Sequence, residues 1–176
     1  MSSPAFDFSS LEGRCVAVTG GAGVLGTAFA EAFLRVGARV ALLDLDGGRA
    51  SEKAAALAAN CSASCIGLPC DVLSRESIGA SLAEIERQFG PVDILITGAG
   101  GNVPAATTSC EQIFPGAGEG GSFFDLPMEG FEQALRLNLT GTVLPSQVFG
   151  EGMVGRRRGV ILNISSMNAF RPLTKI

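Results

Sequence analysis

Residues 14–26, Arg-Cys-Val-Ala-Val-Thr-Gly-Gly-Ala-Gly-Val-Leu-Gly, pass from an apolar strand through a glycine turn into the start of a helix. A strand apolar at consecutive positions is covered on both faces, which points to a parallel sheet sandwiched between helices. Within the turn, Gly21-Ala22-Gly23-Val24-Leu25-Gly26 matches G-x-G-x-x-G, weak as a string but specific in this strand-to-helix setting. Gly20 and Gly21 permit the tight turn, Gly23 lets backbone approach a phosphate, and Gly26 allows close helix packing. Val24, Leu25 and Gly26 open the helix, whose free N–H groups and positive dipole end favour an anion. The segment therefore reads as a pyrophosphate cradle for a dinucleotide.

The same alternation continues along the chain. Short runs rich in Val, Ile and Leu place strands at 14–19, 38–43, 64–69, 92–97 and 159–164. Between the first two, Leu25, Ala28, Phe29, Ala32, Phe33 and Val36 make one apolar stripe over 24–36, and Gly37 sits where a C-terminal cap belongs. Helices are predicted at 47–59 and at 75–89, the latter with Ile78, Leu82, Ile85 and Phe89 on one face and Gly90-Pro91 as its stop. The longest helix runs from about 128 to 152. The expected fold is α/β: a doubly wound Rossmann-type parallel sheet of about five strands, helices on both faces, forming a single domain over 1–176. From Gly98 to Phe124 the chain is rich in Gly and Thr without periodicity, and a long loop after the fourth strand is placed to line a ligand crevice.

Composition narrows the partners. The 176 residues, 47% of them apolar, suffice for one α/β core and are too few for two. A net charge of −4 and a single basic run, Arg156-Arg157-Arg158, argue against a nucleic-acid or membrane partner. That run reads as a solvated helix-to-strand turn. The first residues lack the basic and apolar regions of a secretion signal, and no apolar run approaches about 18 residues, so a soluble cytoplasmic protein is expected. Cys15, Cys61, Cys65, Cys70 and Cys110 lack metal-site spacing and there is no histidine to join them, so the thiols read as structural and no metal is expected. Cys15 and Cys70 are placed in strands as small apolar residues.

Asp44 closes the second strand, 18 residues after Gly26, where a carboxylate can accept from both ribose hydroxyls and repel a 2′-phosphate. This favours NAD over NADP; the competing reading has Asp44 or Asp46 capping the next helix. Asp71-Val72 follows the third strand at the same rim, with an adenine contact and a turn role for Asp71 equally open.

In order and spacing, Thr19 to Gly26, Asp71-Val72, Gly98-Ala99-Gly100, Asn138 and Ile164-Ser165-Ser166 resemble the short-chain dehydrogenases/reductases over the whole chain. Gly98 to Asn102, Phe123 to Leu126 and Ser165 to Leu173 further resemble the D-mannonate oxidoreductase (fructuronate reductase-like) branch. The resemblance implies an NAD-dependent oxidoreductase moving a hydride between nicotinamide and a carbonyl or secondary alcohol, with a small-molecule substrate, a sugar acid. It implies that Ser166, or alternatively Ser165, hydrogen-bonds the substrate oxygen, and that Asn138 positions a relay water. Gly98, Ala99 and Gly100 join the cofactor site, and the full-length form is a homo-oligomer.

The chain departs from the family pattern in three places. Gly23 stands one position before the usual glycine, where Val24 is, and Thr97 replaces an asparagine whose hydrogen bond steadies the central strand. The chain also contains no tyrosine, the family's general acid and base, whose pKa a nearby lysine lowers. The expectation is thus a chain truncated before the catalytic Tyr/Lys segment, with Lys175 unable to serve as that lysine, the fifth strand left as an open edge, and the fragment inactive as given. The alternative is a non-catalytic NAD-binding module.

Overall fold

The computed structural model describes residues 7–112, 114 and 121–170. The expectations that fall on Lys175, on the rest of 171–176 and on the middle of the 98–124 loop lie outside the described residues.

Five strands form one parallel sheet in the order β3-β2-β1-β4-β5, with β1 at Cys15–Thr19, β2 at Arg39–Asp44, β3 at Cys65–Pro69, β4 at Ile94–Thr97 and β5 at Val160–Asn163. Every neighbouring pair is parallel. The helices are α1 (Val24–Arg35), α2 (Gly47–Cys61), α3 (Arg75–Phe89), α4 (Met128–Leu135) and α5 (Gly141–Gly155). Strands and the first three helices lie within two residues of their predicted bounds. Strand order reverses between β1 and β4, the switch point beside which ligands of such sheets bind.

Alternating strand residues feed two cores. Cys15 and Ala17 of β1 with Leu43 and Leu95 pack under Ile78 and Ile85 of α3 and Phe149 and Met153 of α5. Val16 and Val18 with Val40, Leu42 and Ile96 pack under Ala30 and Leu34 of α1 and Ala54 and Leu57 of α2. Two layers of helix on one sheet is the doubly wound arrangement that the apolar strands required. Strand β5 is the edge, with Val160 and Leu162 about half exposed (58% and 49%).

Local signals end the helices as expected. Gly37, at φ +82°, follows the last turn of α1, and Gly90, at φ +77°, ends α3. Ser74 caps α3 by accepting from the Ser77 N–H, and Asp46 caps α2 by accepting from the Arg49 N–H.

Two expectations are corrected. The predicted continuous helix over 128–152 is interrupted by a π-helical turn at Arg136–Thr140. The Asn138 side chain, drawn to Gly101, and Pro145, which has no N–H for the Gly141 carbonyl, both disfavour an even α-helical ladder there. The arginine run is more than a solvated turn: Arg156 donates to the Val92 carbonyl at 2.8 Å, and Arg158 pairs with Asp93 at 2.8 Å. Cys70, placed in a strand by sequence, directly follows β3 but is buried all the same.

Candidate functional site

The register aligns Thr19 with Leu43 and with Thr97, and Thr97 with Asn163, so the connections leaving the strands gather along one edge of the sheet. Along that edge lies a crevice of about 470 Å³ whose walls include Gly20, Gly23, Val24, Leu25, Gly26, Asp44, Asp71, Val72, Gly98, Ala99 and Gly100. Gly21 is absent from this wall. It faces the other way: a Cβ on it would lie 2.8 Å from the Leu42 Cα, and its N–H donates to the Leu43 carbonyl at 3.0 Å. Gly21 shapes the turn rather than lining the cavity.

The glycine turn is tight because its neighbours leave no room. Gly20 has φ +64°, and a Cβ there would lie 2.8 Å from the Gly98 carbonyl oxygen. On Gly26 a Cβ would lie 2.4 Å from the Gly20 carbonyl oxygen, so the first turn of α1 rests directly on the glycine turn. The Thr27 hydroxyl donates to the Gly23 carbonyl at 2.7 Å and the Gly21 carbonyl at 3.3 Å, bracing the loop from inside the helix. No side chain caps α1 at Gly23. First-turn N–H groups have no acceptor within their own helix, so this end of the crevice is built to receive an anion.

Asp44 links turn and crevice. Its Oδ2 accepts from the Ala22 N–H at 3.1 Å and its Oδ1 from the Asp46 N–H at 3.3 Å. The helix-cap reading therefore belongs to Asp46, and Asp44 faces the cavity with lone pairs to spare. Asp71 makes an Asx-turn, its Oδ1 accepting from the Leu73 N–H at 2.9 Å, while also lining the crevice. Both alternatives left open by the sequence are thus compatible at Asp71.

A second cavity of about 490 Å³ adjoins the first across Leu25, Gly98, Ala99 and Gly100, and brings together Asn138, Ser165 and Ser166. Ser166 Oγ accepts from the Asn168 N–H at 3.2 Å, which leaves its own O–H proton free to donate. Asn138 clamps the loop after β4: Oδ1 accepts from the Gly101 N–H at 2.9 Å, and Nδ2 donates to the Gly101 carbonyl at 3.0 Å and the Ala134 carbonyl at 2.9 Å. With both amide hydrogens committed, a water at Asn138 could be held only by its oxygens, and the main-chain one already accepts from the Thr142 hydroxyl at 3.0 Å.

Several lining residues carried no sequence signal. Arg49, Leu45, Cys70, Leu73 and Leu137 line the crevice, and Asn102, Thr142 and Asn168 the second cavity. Thr19 was quoted only as a motif residue, yet its hydroxyl accepts from the Gly98 and Ala99 N–H groups at 3.1 and 3.2 Å and ties β1 to the loop after β4. The Thr97 substitution leaves the sheet joined, since its hydroxyl donates to Asn163 Oδ1 at 2.8 Å. Burial pushes the Cys15 thiol up to about 11, the Cys65 thiol up to about 12 and the Cys70 thiol upward, so all three are neutral packing groups at neutral pH. No cluster able to hold a metal occurs among the described residues, and no helix among them is long and apolar enough to cross a membrane.

Residues 14–176 match the family model described as short chain dehydrogenase. The chain belongs to that family. Among curated proteins it is 41% identical over 170 residues to an uncharacterized oxidoreductase UxuB of Bacillus subtilis, and 42% identical over 168 residues to an uncharacterized oxidoreductase of Haemophilus influenzae. Each alignment covers 95% of this chain and 59% of the relative, so the chain spans little more than half the relatives' length. Among solved structures, a Haemophilus influenza protein described as a "putative D-Mannonate oxidoreductase" with bound NAD superposes with a TM-score of 0.90 at 40% identity, over 97% of this chain and 62% of that one.

Proposed function

We propose that this chain is the cofactor-binding part of an NAD-dependent oxidoreductase that interconverts a secondary alcohol and a ketone on a polyhydroxylated substrate, a sugar acid such as D-mannonate. The observation that carries the reading is the shared wall: the glycine turn, the α1 N-terminus and Asp44 line one cavity, Ser166 and Asn138 line the next, and Leu25 with Gly98 to Gly100 border both. The NAD-bound solved relative at 40% identity supports the cofactor assignment.

The residues present fit a dinucleotide. Gly20, Gly23 and Gly26 leave space where side chains would collide with backbone, and the free N–H groups of the α1 first turn suit the pyrophosphate. Asp44 suits ribose hydroxyls and opposes a 2′-phosphate, which selects NAD over NADP. Bound NAD supplies the hydride-accepting nicotinamide. Ser166 donates its hydroxyl proton to the substrate oxygen and steadies charge developing there. Asn138 holds Gly101, and with it the loop between the two cavities, in a fixed position. The proton donor is a tyrosine in this family, and the 176 residues contain none, so turnover is assigned to the protein at its relatives' length, as a homo-oligomer in the cytoplasm.

The test is calorimetric titration with NAD and NADP, together with an NAD-reduction assay on D-mannonate, using protein carried to that length. Preferential NAD binding with turnover is the expected result. NAD binding without turnover on any sugar acid or polyol would make it a non-catalytic nucleotide-binding module, and the absence of binding would overturn the cofactor assignment.

A further inference from the structure

We propose that Asn168 is a substrate-specificity residue, whose side-chain carboxamide hydrogen-bonds a substrate hydroxyl on a carbon flanking the one that exchanges the hydride. The inference rests on the reaction proposed above and names which group of this chain reads the substrate.

The observation behind it is an energetic one. Asn168 Oδ1 is buried without a hydrogen-bond partner, one of only two such side-chain atoms among the described residues; the other, Arg39 Nε, lies at the start of β2, at the opposite end of the sheet from the crevice. A buried amide oxygen without a donor is unfavourable, and folds seldom keep one without a use for it. Asn168 lines the same cavity as Ser166 and Asn138, so the unpartnered group sits where a ligand is expected.

Its placement is also set by the serine. The Asn168 N–H donates to Ser166 Oγ at 3.2 Å, and the Phe170 N–H closes the Met167–Ala169 3₁₀ turn by donating to the Met167 carbonyl at 3.0 Å. Hydroxyl and carboxamide are thus carried on one short turn, so a substrate oxygen at the serine presents its neighbouring carbon to the amide. Across the cavity, Asn102 offers a second carboxamide next to Gly101, the residue Asn138 clamps. The described walls of this cavity hold no ionised side chain. Carboxamides both donate and accept, which matches hydroxyl groups of either orientation better than it matches an apolar chain.

The experiment uses protein at its relatives' length and compares the parent with Asn168→Ala. It reads KM and kcat on D-mannonate and on an analogue lacking the neighbouring hydroxyl, NAD affinity by calorimetry, and the melting temperature. The parent should prefer the hydroxylated substrate. In Asn168→Ala, kcat/KM on D-mannonate should fall about tenfold, corresponding to one lost hydrogen bond, and the preference should shrink by the same factor, with NAD affinity unchanged. The melting temperature should stay level or rise, because the variant removes a buried oxygen that had no partner. A variant that melts lower while keeping the parental preference would overturn the proposal, since that is the signature of a structural asparagine. An unchanged kcat/KM would overturn it too. A parent that binds NAD yet oxidises neither D-mannonate nor hexitols would instead defeat the reaction class, and this inference with it.

Discussion

Replacing Gly26 by alanine sets two well-known effects against each other. Gly26 lies in the first turn of α1, and alanine in a helix is ordinarily better than glycine by about 1 kcal/mol. Here the added Cβ would sit 2.4 Å from the Gly20 carbonyl oxygen and 2.8 Å from the Gly21 Cα, whereas ordinary contact begins at 3.4 Å. Both obstacles are backbone, so relief requires the start of α1 to back away from the glycine turn by about 1 Å. Overpacking of this kind costs about 1–3 kcal/mol, and the net expectation is a loss of about 1–2 kcal/mol in stability. The same displacement takes first-turn N–H groups away from the pyrophosphate position. Losing one hydrogen bond to a charged group costs about 1.5–3 kcal/mol, so NAD should bind roughly 10- to 100-fold more weakly. Gly79→Ala supplies the control, because Gly79 lies inside α3 with nothing within 4 Å of its would-be Cβ, and it should gain about 0.5–1 kcal/mol. Denaturant unfolding and calorimetry with NAD measure both quantities. A Gly26→Ala protein as stable as Gly79→Ala, with parental NAD affinity, would refute the account of a helix packed directly on its phosphate turn.

Other perturbations separate roles that share the crevice. Asp44→Ala should weaken NAD about tenfold or more and narrow the NAD/NADP preference, while Asp44→Asn, still able to accept from the Ala22 N–H, should narrow the preference with less loss of stability; an unchanged preference in a coenzyme titration would remove Asp44 from cofactor selection. Asn138→Ala strips three hydrogen bonds from the loop after β4; faster amide exchange at Gly101 and a lower kcat are expected, and parental exchange there would show that the clamp is idle. Neutral Cys15 is favoured by the fold, which raises its thiol from an ordinary 9.0 to about 11. Its contribution is therefore complete below pH about 9 and declines by about 1.4 kcal/mol per pH unit up to about 11. Cys15→Ala should flatten that stretch of a stability-versus-pH curve, and an equally steep decline would assign the alkaline loss to other groups.

Much of this was legible in the chain because the relevant signals are local. Strand β1 is apolar at consecutive positions and completely buried, α1 carries its stripe at helical spacing, and Gly37 and Gly90 stop helices by adopting positive φ. Asn138 shows where such signals end. Its neighbours have helical periodicity, so the sequence read one helix through it, and only the partner 37 residues away at Gly101 explains the π-helical turn. Gly21 fits the phosphate motif as well as Gly23 does, but the approach of Leu42 turns it towards β2 and away from the crevice.

By itself the sequence determined the order of elements, the parallel sheet and the position of a phosphate turn, because hydrophobic period and glycine conformational freedom act over a few residues. Tertiary structure decided which groups meet. It put the Thr19 hydroxyl under the Gly98 and Ala99 N–H groups, divided capping from crevice lining between Asp46 and Asp44, and left Asn168 Oδ1 buried without a donor beside Ser166. Each of these depends on strand register and on loops brought together across the sheet edge, and hydrogen bonds between residues tens of positions apart leave no periodic trace in the chain that makes them.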